Sequence, residues 1–367
     1  MKVVIFFGHH KVGSTALQAF LARNALPLMR SGILYPSVEA EGLAHTLARA
    51  LTPETEPVLS AMNVREPHNA LAFRMLTQAA GGKPPPWHGP LPAYAQMVRA
   101  LRQQVRFLKP HTVILCSEVM SNFGAHHPEL IDDLRAIFPE ADYELYCVLR
   151  RPDAYLVSWH AQRLRFGDKL DALSAGAAKR YFASIHFDYK KLLAPWVERF
   201  PEARFHIRNY ADVLAAGGST EDFTALCGSD FPAGLAAAER TNTSLPRAAM
   251  EIARRGNCDL SADDARDLRN FLFDPENGLR PIANSEIEMF GAALRADMAG
   301  RFAPIHDYLS KLTGRPAFFP DIADVARPAP LPEAAAVAQL LAQIDRTRLP
   351  QEPLRAYIDT LRRDYAA

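Results

Sequence analysis

The first 24 residues, MKVVIFFGHHKVGSTALQAFLARN, constrain the fold of this chain more than any other segment. Residues 3–7 form a continuous apolar run, which is typical of a β-strand buried on both faces, and Gly8 ends it. From Ser14 onward, apolar residues recur at helical spacing, so an amphipathic helix is expected there. The segment from Gly8 to Thr15 is therefore predicted to be a short loop between a buried strand and a helix.

This loop carries groups that together bind an anion. Lys11 supplies an ammonium group, and Ser14 and Thr15 supply hydroxyl groups. Backbone N–H groups and the positive end of the helix dipole meet at the same point. We therefore expect Lys11, Gly13, Ser14 and Thr15 to form a site for a phosphate-like anion, although an ordinary turn with a solvated lysine is the alternative for the loop alone.

The position of the lysine separates this loop from the Walker A pattern. Gly8 and Gly13 have the Walker A spacing, but Ser14 stands where that pattern has its lysine. The order K-x-G-[ST]-T, followed by Leu-Gln, resembles the 5′-phosphosulfate loop of the sulfotransferases that use 3′-phosphoadenosine 5′-phosphosulfate (PAPS). Residues 11–18 match that loop, with Val12 where the family usually has Thr. The resemblance implies a P-loop NTPase-like sulfotransferase fold.

The remaining strand pattern predicts an α/β protein with a central parallel sheet flanked by helices. Helix-like segments separate the strand candidates, an order typical of βαβ units with right-handed crossovers. Ligands of such sheets collect at the carboxyl ends of the strands. The further strands are predicted at Ile33–Tyr35, Thr112–Cys116, Tyr143–Leu149 and Arg204–Tyr210.

A second phosphate-binding pattern follows the predicted strand that ends at Leu149. Pro152 suits the first turn of a helix, and an arginine before it and a serine two turns later can reach one phosphate from two sides. Arg150, Pro152 and Ser158 resemble the R-x-P-x(5)-S pattern that binds the 3′-phosphate of PAPS in the sulfotransferases. Arg151 stands where that family commonly has Asp or Asn, so which arginine makes the contact is open.

Two shorter matches concern the nucleotide. Tyr210-Ala211-Asp212 resembles the Y-E-D segment whose tyrosine lies near the adenine of the cofactor, while a plain aromatic strand end is the alternative. Residues 240–246, RTNTSLP, resemble an N-x-S-L segment of bacterial carbohydrate-type sulfotransferases. This implies that Ser244 contacts a phosphate or the ribose from a closing loop, unless the segment only caps the next helix.

The acceptor hydroxyl needs a general base, and two residues are candidates. Glu118 follows the predicted strand Thr112–Cys116, and in bacterial sulfotransferases a similar S-E strand end faces the donor sulfur. His10, inside the loop, is the second candidate. A glutamate after a strand can equally be a helix cap or a solvated strand end.

The resemblance implies transfer of a sulfuryl group from PAPS to a hydroxyl of a carbohydrate or glycoconjugate. A sulfuryl group carries less negative charge than a phosphoryl group, so Lys11 and backbone amides can replace a metal, and no metal is expected. Lys11 would stabilise the leaving nucleotide while Ser14 and Thr15 hold its 5′-phosphate. The alternatives are a P-loop kinase or NTPase, and a catalytically silent nucleotide-binding scaffold.

Composition limits the partners and the compartment. A net charge of +1 gives no reason to expect nucleic acid, and no apolar run is long enough for stable membrane insertion. The four cysteines lie far apart and the N-terminus lacks a signal-peptide pattern, so a reducing, cytoplasmic setting is expected. The acceptor is expected to be a small molecule or a glycan.

The expected organisation is one sulfotransferase-like domain and a C-terminal extension. The domain covers residues 1–315, with a largely helical insertion and a Pro-rich loop at 38–110. Residues 316–332 are predicted to be a Pro-rich connector. Two helices, Glu333–Ile344 and Pro353–Tyr365, are then expected to pack on the body or on the partner subunit of a homodimer.

Overall fold

The computed structural model describes residues 1–52, 61–228, 230–237 and 245–366. These residues form an α/β structure with a five-stranded, fully parallel sheet. A short two-stranded parallel ladder lies elsewhere in the chain. The strands are β1 (Lys2–Gly8), β2 (Ile33–Leu34), β3 (Thr112–Cys116), β4 (Asp142–Leu149), β5 (Arg204–Asn209), β6 (Ile287–Glu288) and β7 (Leu331–Pro332).

Helices make up most of the rest of the described chain. None of the described helices is both long enough and apolar enough to cross a membrane. The helices are α1 (Ser14–Arg23), α2 (Ala25–Arg30), α3 (Ala40–Leu51), α4 (Met62–Arg65), α5 (Pro67–Ala80), α6 (Tyr94–Leu108), α7 (Phe123–His126), α8 (Glu129–Arg135), α9 (Pro152–Arg165), α10 (Ala178–Tyr181), α11 (Tyr189–Arg199), α12 (Tyr210–Ala215), α13 (Ser219–Leu226), α14 (Arg247–Asp259), α15 (Ala262–Phe273), α16 (Ala292–Thr313), α17 (Glu333–Gln343) and α18 (Glu352–Tyr365).

Strand β1 is the centre of the five-stranded sheet, whose order is β2-β3-β1-β4-β5. Its apolar residues are fully buried, with Phe6 in the core that contains Leu17 of α1 and Phe7 stacked on Trp196 of α11 at 4.3 Å between ring centres. The strand is therefore covered on both faces, which explains its continuous apolar run. The prediction of a central parallel sheet is confirmed.

The strand order creates a switch point at β1. Strands β3 and β4 lie on its two sides: after β1 the chain runs to the edge strand β2 and back to β3 on one side, and it then crosses to β4 and β5 on the other. In open parallel sheets, ligands bind at the carboxyl ends of the strands where the order reverses in this way. The loop that follows Gly8 lies at this point of the sheet.

The chain divides into two compact units, each made of two segments. The first unit contains Met1–Arg150 and Tyr189–Thr241, and therefore the whole five-stranded sheet. The second contains Arg151–Asp188 and Asn242–Ala367. The expected sulfotransferase-like domain of residues 1–315 includes parts of both units, and its boundary stays a prediction.

The predicted insertion and extension have regular structure of their own. The described part of residues 38–110 contains α3 to α6, with a 3₁₀-turn at Pro86–His88 in the Pro-rich loop. In the second unit, Phe318 and Phe319 of the predicted connector are fully buried, and α17 packs against α14 and α18. The Pro-rich segment is thus anchored by aromatic side chains.

Candidate functional site

The loop after β1 has a backbone that glycine makes possible. Gly13 precedes the first residue of α1 with φ of 89°, a left-handed conformation that other residues rarely adopt. A Cβ atom at Gly13 would lie 2.2 Å from Oγ of Ser219, whose hydroxyl donates to the carbonyl of Val12 at 2.6 Å. Lys11 is also left-handed, with φ of 62°. The loop is therefore a tight turn pinned by Ser219, and its shape does not tolerate a side chain at residue 13.

The predicted anion-binding side chains lie on this turn and on the start of α1. Ser14 is the first residue of α1 and is 5% exposed, whereas Thr15 is exposed and Lys11 is partly exposed. The first N–H groups of an α-helix have no acceptor within the helix, and they carry its positive dipole end. The structure thus places Lys11, Gly13, Ser14 and Thr15 at one helix N-terminus, and their binding of an anion stays a prediction.

His10 lies in the same loop but its imidazole is a weak base. Burial, and next the charge of Lys11, lower the pKa of His10 to about 4. Its backbone N–H donates to Nδ1 of His9 at 2.7 Å. At neutral pH His10 is therefore uncharged, and its affinity for a proton is low for a general base.

Glu118 lies beside the start of α1, although its strand β3 is far from α1 in sequence. β3 ends at Cys116, Ser117 caps the next 3₁₀-turn, and Glu118 is the first residue of that turn. Nε2 of Gln18 donates to Oε2 of Glu118 at 3.2 Å, and the Ser14 side chain lies close enough to the same carboxylate to lower its pKa. The candidate base is thus linked directly to α1.

An asparagine extends this hydrogen-bond network to a second carboxylate. Nδ2 of Asn69 donates to Oε2 of Glu66 at 2.8 Å and to Oε1 of Glu118 at 3.3 Å. Its Oδ1 accepts from Oγ of Ser117 at 2.6 Å and from Nε2 of Gln18 at 3.1 Å. Neither Glu66 nor Asn69 is a site residue in the sequence-based prediction. They occur in a Glu-Pro-x-Asn helix start whose only local signal is a proline at the first helical position.

Burial raises the proton affinity of both carboxylates. Burial, and next the charge of Glu118, raise the pKa of Glu66 to about 7. Burial also raises the pKa of Glu118, against the opposing effect of hydrogen bonds that include those from Asn69 and Ser14. Both carboxylates therefore bind a proton more readily than an ordinary glutamate.

Two residues proposed for the nucleotide meet in the first unit. The guanidinium carbon of Arg150 lies 5.3 Å from the ring centre of Tyr210. β5 ends at Asn209, one residue before the predicted end, because the Asn209 side chain accepts from the backbone N–H of Ala211 at 3.0 Å and caps α12. Tyr210 is therefore the first residue of a helix. A planar group that packs on its ring would also lie close to the guanidinium of Arg150.

The other residues of the second phosphate pattern lie in the second unit. Ser158 is partly exposed on α9. Arg151 donates to both carboxylate oxygens of Asp153, at 2.8 and 3.1 Å, and to Oδ2 of Asp321 at 2.6 Å. Arg151 is thus neutralised by carboxylates. Ser244 lies outside the described residues.

The structure also has an open groove of 560 Å³ along α6 that shares no residue with this site. Arg99, Arg102 and Arg106 line it, and Arg102 donates to the carbonyls of Ala136 and Ile137.

Among the described residues, no group of three or more His, Cys, Asp or Glu side chains has the arrangement of a metal site. No protein-family model matches this chain, and no curated protein or solved structure is significantly similar to it.

Proposed function

We propose that this protein is a PAPS-dependent sulfotransferase of the P-loop NTPase-like fold that transfers a sulfuryl group to a hydroxyl of a carbohydrate or glycoconjugate. One observation carries the proposal: the lysine-bearing loop at the switch point of a parallel sheet leads into a helix whose Gln18 donates to the carboxylate of Glu118. An anion site and a base in contact are what transfer of an anionic group to a hydroxyl requires.

In the proposed reaction the loop holds the donor and Glu118 acts on the acceptor. Glu118 takes the proton of the acceptor hydroxyl as its oxygen forms a bond to sulfur. The bond between sulfur and the bridging phosphate oxygen breaks, and that oxygen keeps the electron pair. Lys11 stabilises the charge that develops there, while Ser14, Thr15 and the N–H groups at the start of α1 hold the 5′-phosphate.

Glu118 is a better base for this step than His10. The pKa of Glu118 is raised by burial, so its carboxylate binds a proton more readily than an ordinary glutamate. The pKa of His10 is lowered to about 4, chiefly by burial. We therefore assign the base to Glu118 and keep His10 as the alternative.

The proposed contacts to the rest of the nucleotide rest on the sequence resemblance. Arg150 and Ser158 are proposed to bind the 3′-phosphate, Tyr210 to lie near the adenine, and Ser244 to contact a phosphate or the ribose. The carboxylate partners of Arg151 favour Arg150 as the phosphate ligand, because a neutralised guanidinium attracts an anion weakly. None of the four cysteines is part of a disulfide, which is compatible with the proposed cytoplasmic setting.

A nucleotide-dependent kinase or NTPase is the second candidate function. The proximity of Ser14, at the start of α1, to Glu118, after the strand β3 next to β1, favours it, because a hydroxyl and a carboxylate close together can hold Mg²⁺ with a nucleotide. The displaced lysine argues against it. A scaffold that binds the nucleotide without turnover is the third.

Calorimetry separates the three functions. We expect 3′-phosphoadenosine 5′-phosphate, the product nucleotide, to bind more tightly than ADP or ATP and without Mg²⁺, because only that ligand uses both phosphate sites. Tight ATP binding that depends on Mg²⁺ would indicate the kinase. Binding of the product nucleotide without transfer of labelled sulfate to any acceptor in a broad screen would indicate the scaffold.

The loop lysine has a matched control within the chain. Lys109 is the other described non-glycine residue with a positive φ, 48°, and it is exposed. Lys11→Ala is expected to lower turnover for every acceptor by a factor of about 10² to 10³, since it removes the charge that stabilises the leaving group. Lys109→Ala should leave turnover unchanged. Equal effects of the two substitutions would overturn the role proposed for the charge of Lys11.

A further inference from the structure

The amide group of Asn69 has one orientation in its hydrogen-bond network. Nε2 of Gln18 donates to the carbonyl of Cys116 at 3.2 Å, and a carbonyl only accepts, so this nitrogen of Gln18 is assigned as the donor. The same nitrogen contacts Oδ1 of Asn69. Nδ2 of Asn69 must then face Glu66 and Glu118, and its two hydrogens serve one carboxylate each. One neutral amide therefore joins the two carboxylates.

Two buried polar atoms next to these carboxylates have no hydrogen-bond partner among the described residues. They are Oε1 of Gln18 and the hydroxyl of Tyr35, in side chains that are 1% and 5% exposed. Gln18 contacts Glu118 directly, and the charges of Glu66 and Glu118 contribute to the raised pKa of the Tyr35 hydroxyl. Buried polar atoms almost always have partners, so this place offers an acceptor and a donor to a hydroxyl-bearing ligand.

From this geometry we propose that Glu66 and Glu118 act together as one acid–base pair that takes the proton of the acceptor hydroxyl, with Asn69 as the positioning residue that joins them. The proposal rests on the proposed function and adds a second catalytic carboxylate to it. It also states the chemistry of the acceptor end of the site: a neutral hydroxyl compound that can donate to a carboxylate and to Oε1 of Gln18 and accept from Tyr35.

The proton balance of the step is simple. The acceptor O–H bond breaks and its proton moves to Glu118, while the oxygen forms the bond to sulfur and the nucleotide leaves with the electrons of the broken sulfur–oxygen bond. Release of that proton to water, with or without passage to Glu66, restores the pair. No metal, oxidant or reductant takes part.

The charges around the pair favour one bound proton near neutral pH. Besides burial, Glu118 raises the pKa of Glu66, and Arg65 opposes this effect. Tyr35 and Cys116 also face the pair, but burial raises the pKa of both groups well above the ordinary values, so they stay uncharged. The charge of Glu118 thus acts on the titration of Glu66, and the shared amide of Asn69 joins the two carboxylates, so we expect their titrations to be coupled.

Carbon-13 NMR of protein labelled at the glutamate side-chain carboxyl tests the pair without an activity assay. Glu66→Gln and Glu118→Gln identify the two signals. We expect each substitution to lower the pKa of the remaining carboxyl by about one unit, because a repelling charge is removed. Glu39→Gln is the matched control, since burial raises the pKa of Glu39 but Asn69 does not bond to it. Independent titration of the two carboxyls would overturn the pair.

Turnover then tests the catalytic role. Glu66→Gln should lower kcat by a factor of about 10 to 10² and move the acidic limb of the profile of kcat/KM against pH to lower pH, with product-nucleotide affinity unchanged. Asn69→Asp should disturb the profile as well, while Glu39→Gln should not. A normal kcat and an unshifted profile in Glu66→Gln would overturn the role of Glu66 even if the wild-type protein transfers sulfate. Absence of transfer in the wild type would instead overturn the proposed function, and the NMR titration would still decide whether the pair exists.

Discussion

Each compact unit of this protein contains a cluster of carboxylates that are at least partly buried, and the two clusters have opposite partners. In the first unit, Glu66 and Glu118 are joined by a neutral amide, Asn69; we call these three residues the amide cluster. In the second unit, Asp153 pairs with Arg151 and Arg295, and Glu288 pairs with Arg295. We call these four residues the arginine cluster.

The arginine cluster holds its carboxylates ionised. Nε of Arg295 lies 2.7 Å from Glu288, and another nitrogen of Arg295 lies 3.5 Å from Asp153. Glu288 also accepts from backbone N–H groups, of which those of Phe290, Gly291 and Ala329 lie 2.7 to 2.9 Å away. These partners hold the pKa of Asp153 and of Glu288 below their ordinary values, although burial alone would raise them.

The comparison shows that burial can leave the pKa of a carboxyl raised or lowered, depending on the partner beside it. A cation beside a buried carboxylate compensates for lost hydration, so the charge is stable and the group is structural. A neutral amide compensates only in part, so the carboxylate keeps a raised pKa and binds protons. Proton chemistry is therefore expected in the amide cluster, and the arginine cluster is expected to stabilise the fold.

The largest expected effect is on turnover and belongs to the amide cluster. Glu118→Gln keeps the shape of the side chain and removes the base, so it should lower turnover by a factor of about 10² to 10⁴ with product-nucleotide affinity almost unchanged. The loss should be smaller for acceptors with an acidic hydroxyl, such as a phenol. Normal turnover in Glu118→Gln, with collapse in His10→Ala, would transfer the base to the loop histidine.

The arginine cluster should respond in stability. Arg295 is 4% exposed, and Arg295→Met leaves two buried carboxylates with one cation fewer, so the free energy of unfolding should fall by about 3–5 kcal/mol. Arg301 lies on the same helix, α16, and forms an exposed ion pair with Asp297. Arg301→Met should cost less than about 1 kcal/mol. Urea unfolding measures the free energy of unfolding of both variants. A similar small loss of stability in the two variants would contradict the structural role of the arginine cluster.

The adjacent residues Arg150 and Arg151 are predicted to have different roles, Arg150 in nucleotide binding and Arg151 in stability. Arg150→Ala should weaken binding of the 3′-phosphorylated nucleotide by about 1.5–3 kcal/mol, because a charge-assisted hydrogen bond is lost, and leave the form lacking that phosphate nearly unchanged. Arg151→Ala should instead lower the unfolding free energy, because Asp153 loses a partner. Calorimetry and urea unfolding of both variants give the ranking, and a reversed order would place the phosphate ligand one residue later.

The smallest expected effect is the pH dependence of stability. Between the ordinary value of 4.5 and about 7, folded Glu66 keeps a proton that the unfolded chain has released, so the free energy of unfolding falls as pH rises through this range. Glu66→Gln should remove a loss on the order of 1 kcal/mol between about pH 5 and pH 7, since partial exposure of Glu66 weakens the effect. The contribution of the arginine cluster to stability depends on pH in the opposite direction. The pKa of Asp153 and Glu288 is lowered in the folded protein, so stability is lost as pH falls below the ordinary carboxyl range. An unchanged slope in Glu66→Gln would contradict the raised pKa.

Local pattern predicts much of the sheet and of the anion loop. The apolar run of β1, the strand Thr112–Cys116 and the helix start at Ser14 agree with the structure because each depends on burial and turn chemistry within a few residues. These features are local, so a single sequence contains the information for them.

Only the tertiary structure decides which polar groups meet. Asn69 contacts Glu118, which is 49 residues away in sequence, and Gln18 contacts Glu118 across 100 residues. No spacing pattern in the sequence predicts either contact. In the second unit, Arg151 reaches Asp321 across 170 residues. The type of a buried carboxylate is read from the chain, but its pKa depends on whether folding places an amide or a guanidinium beside it, and that is a property of packing.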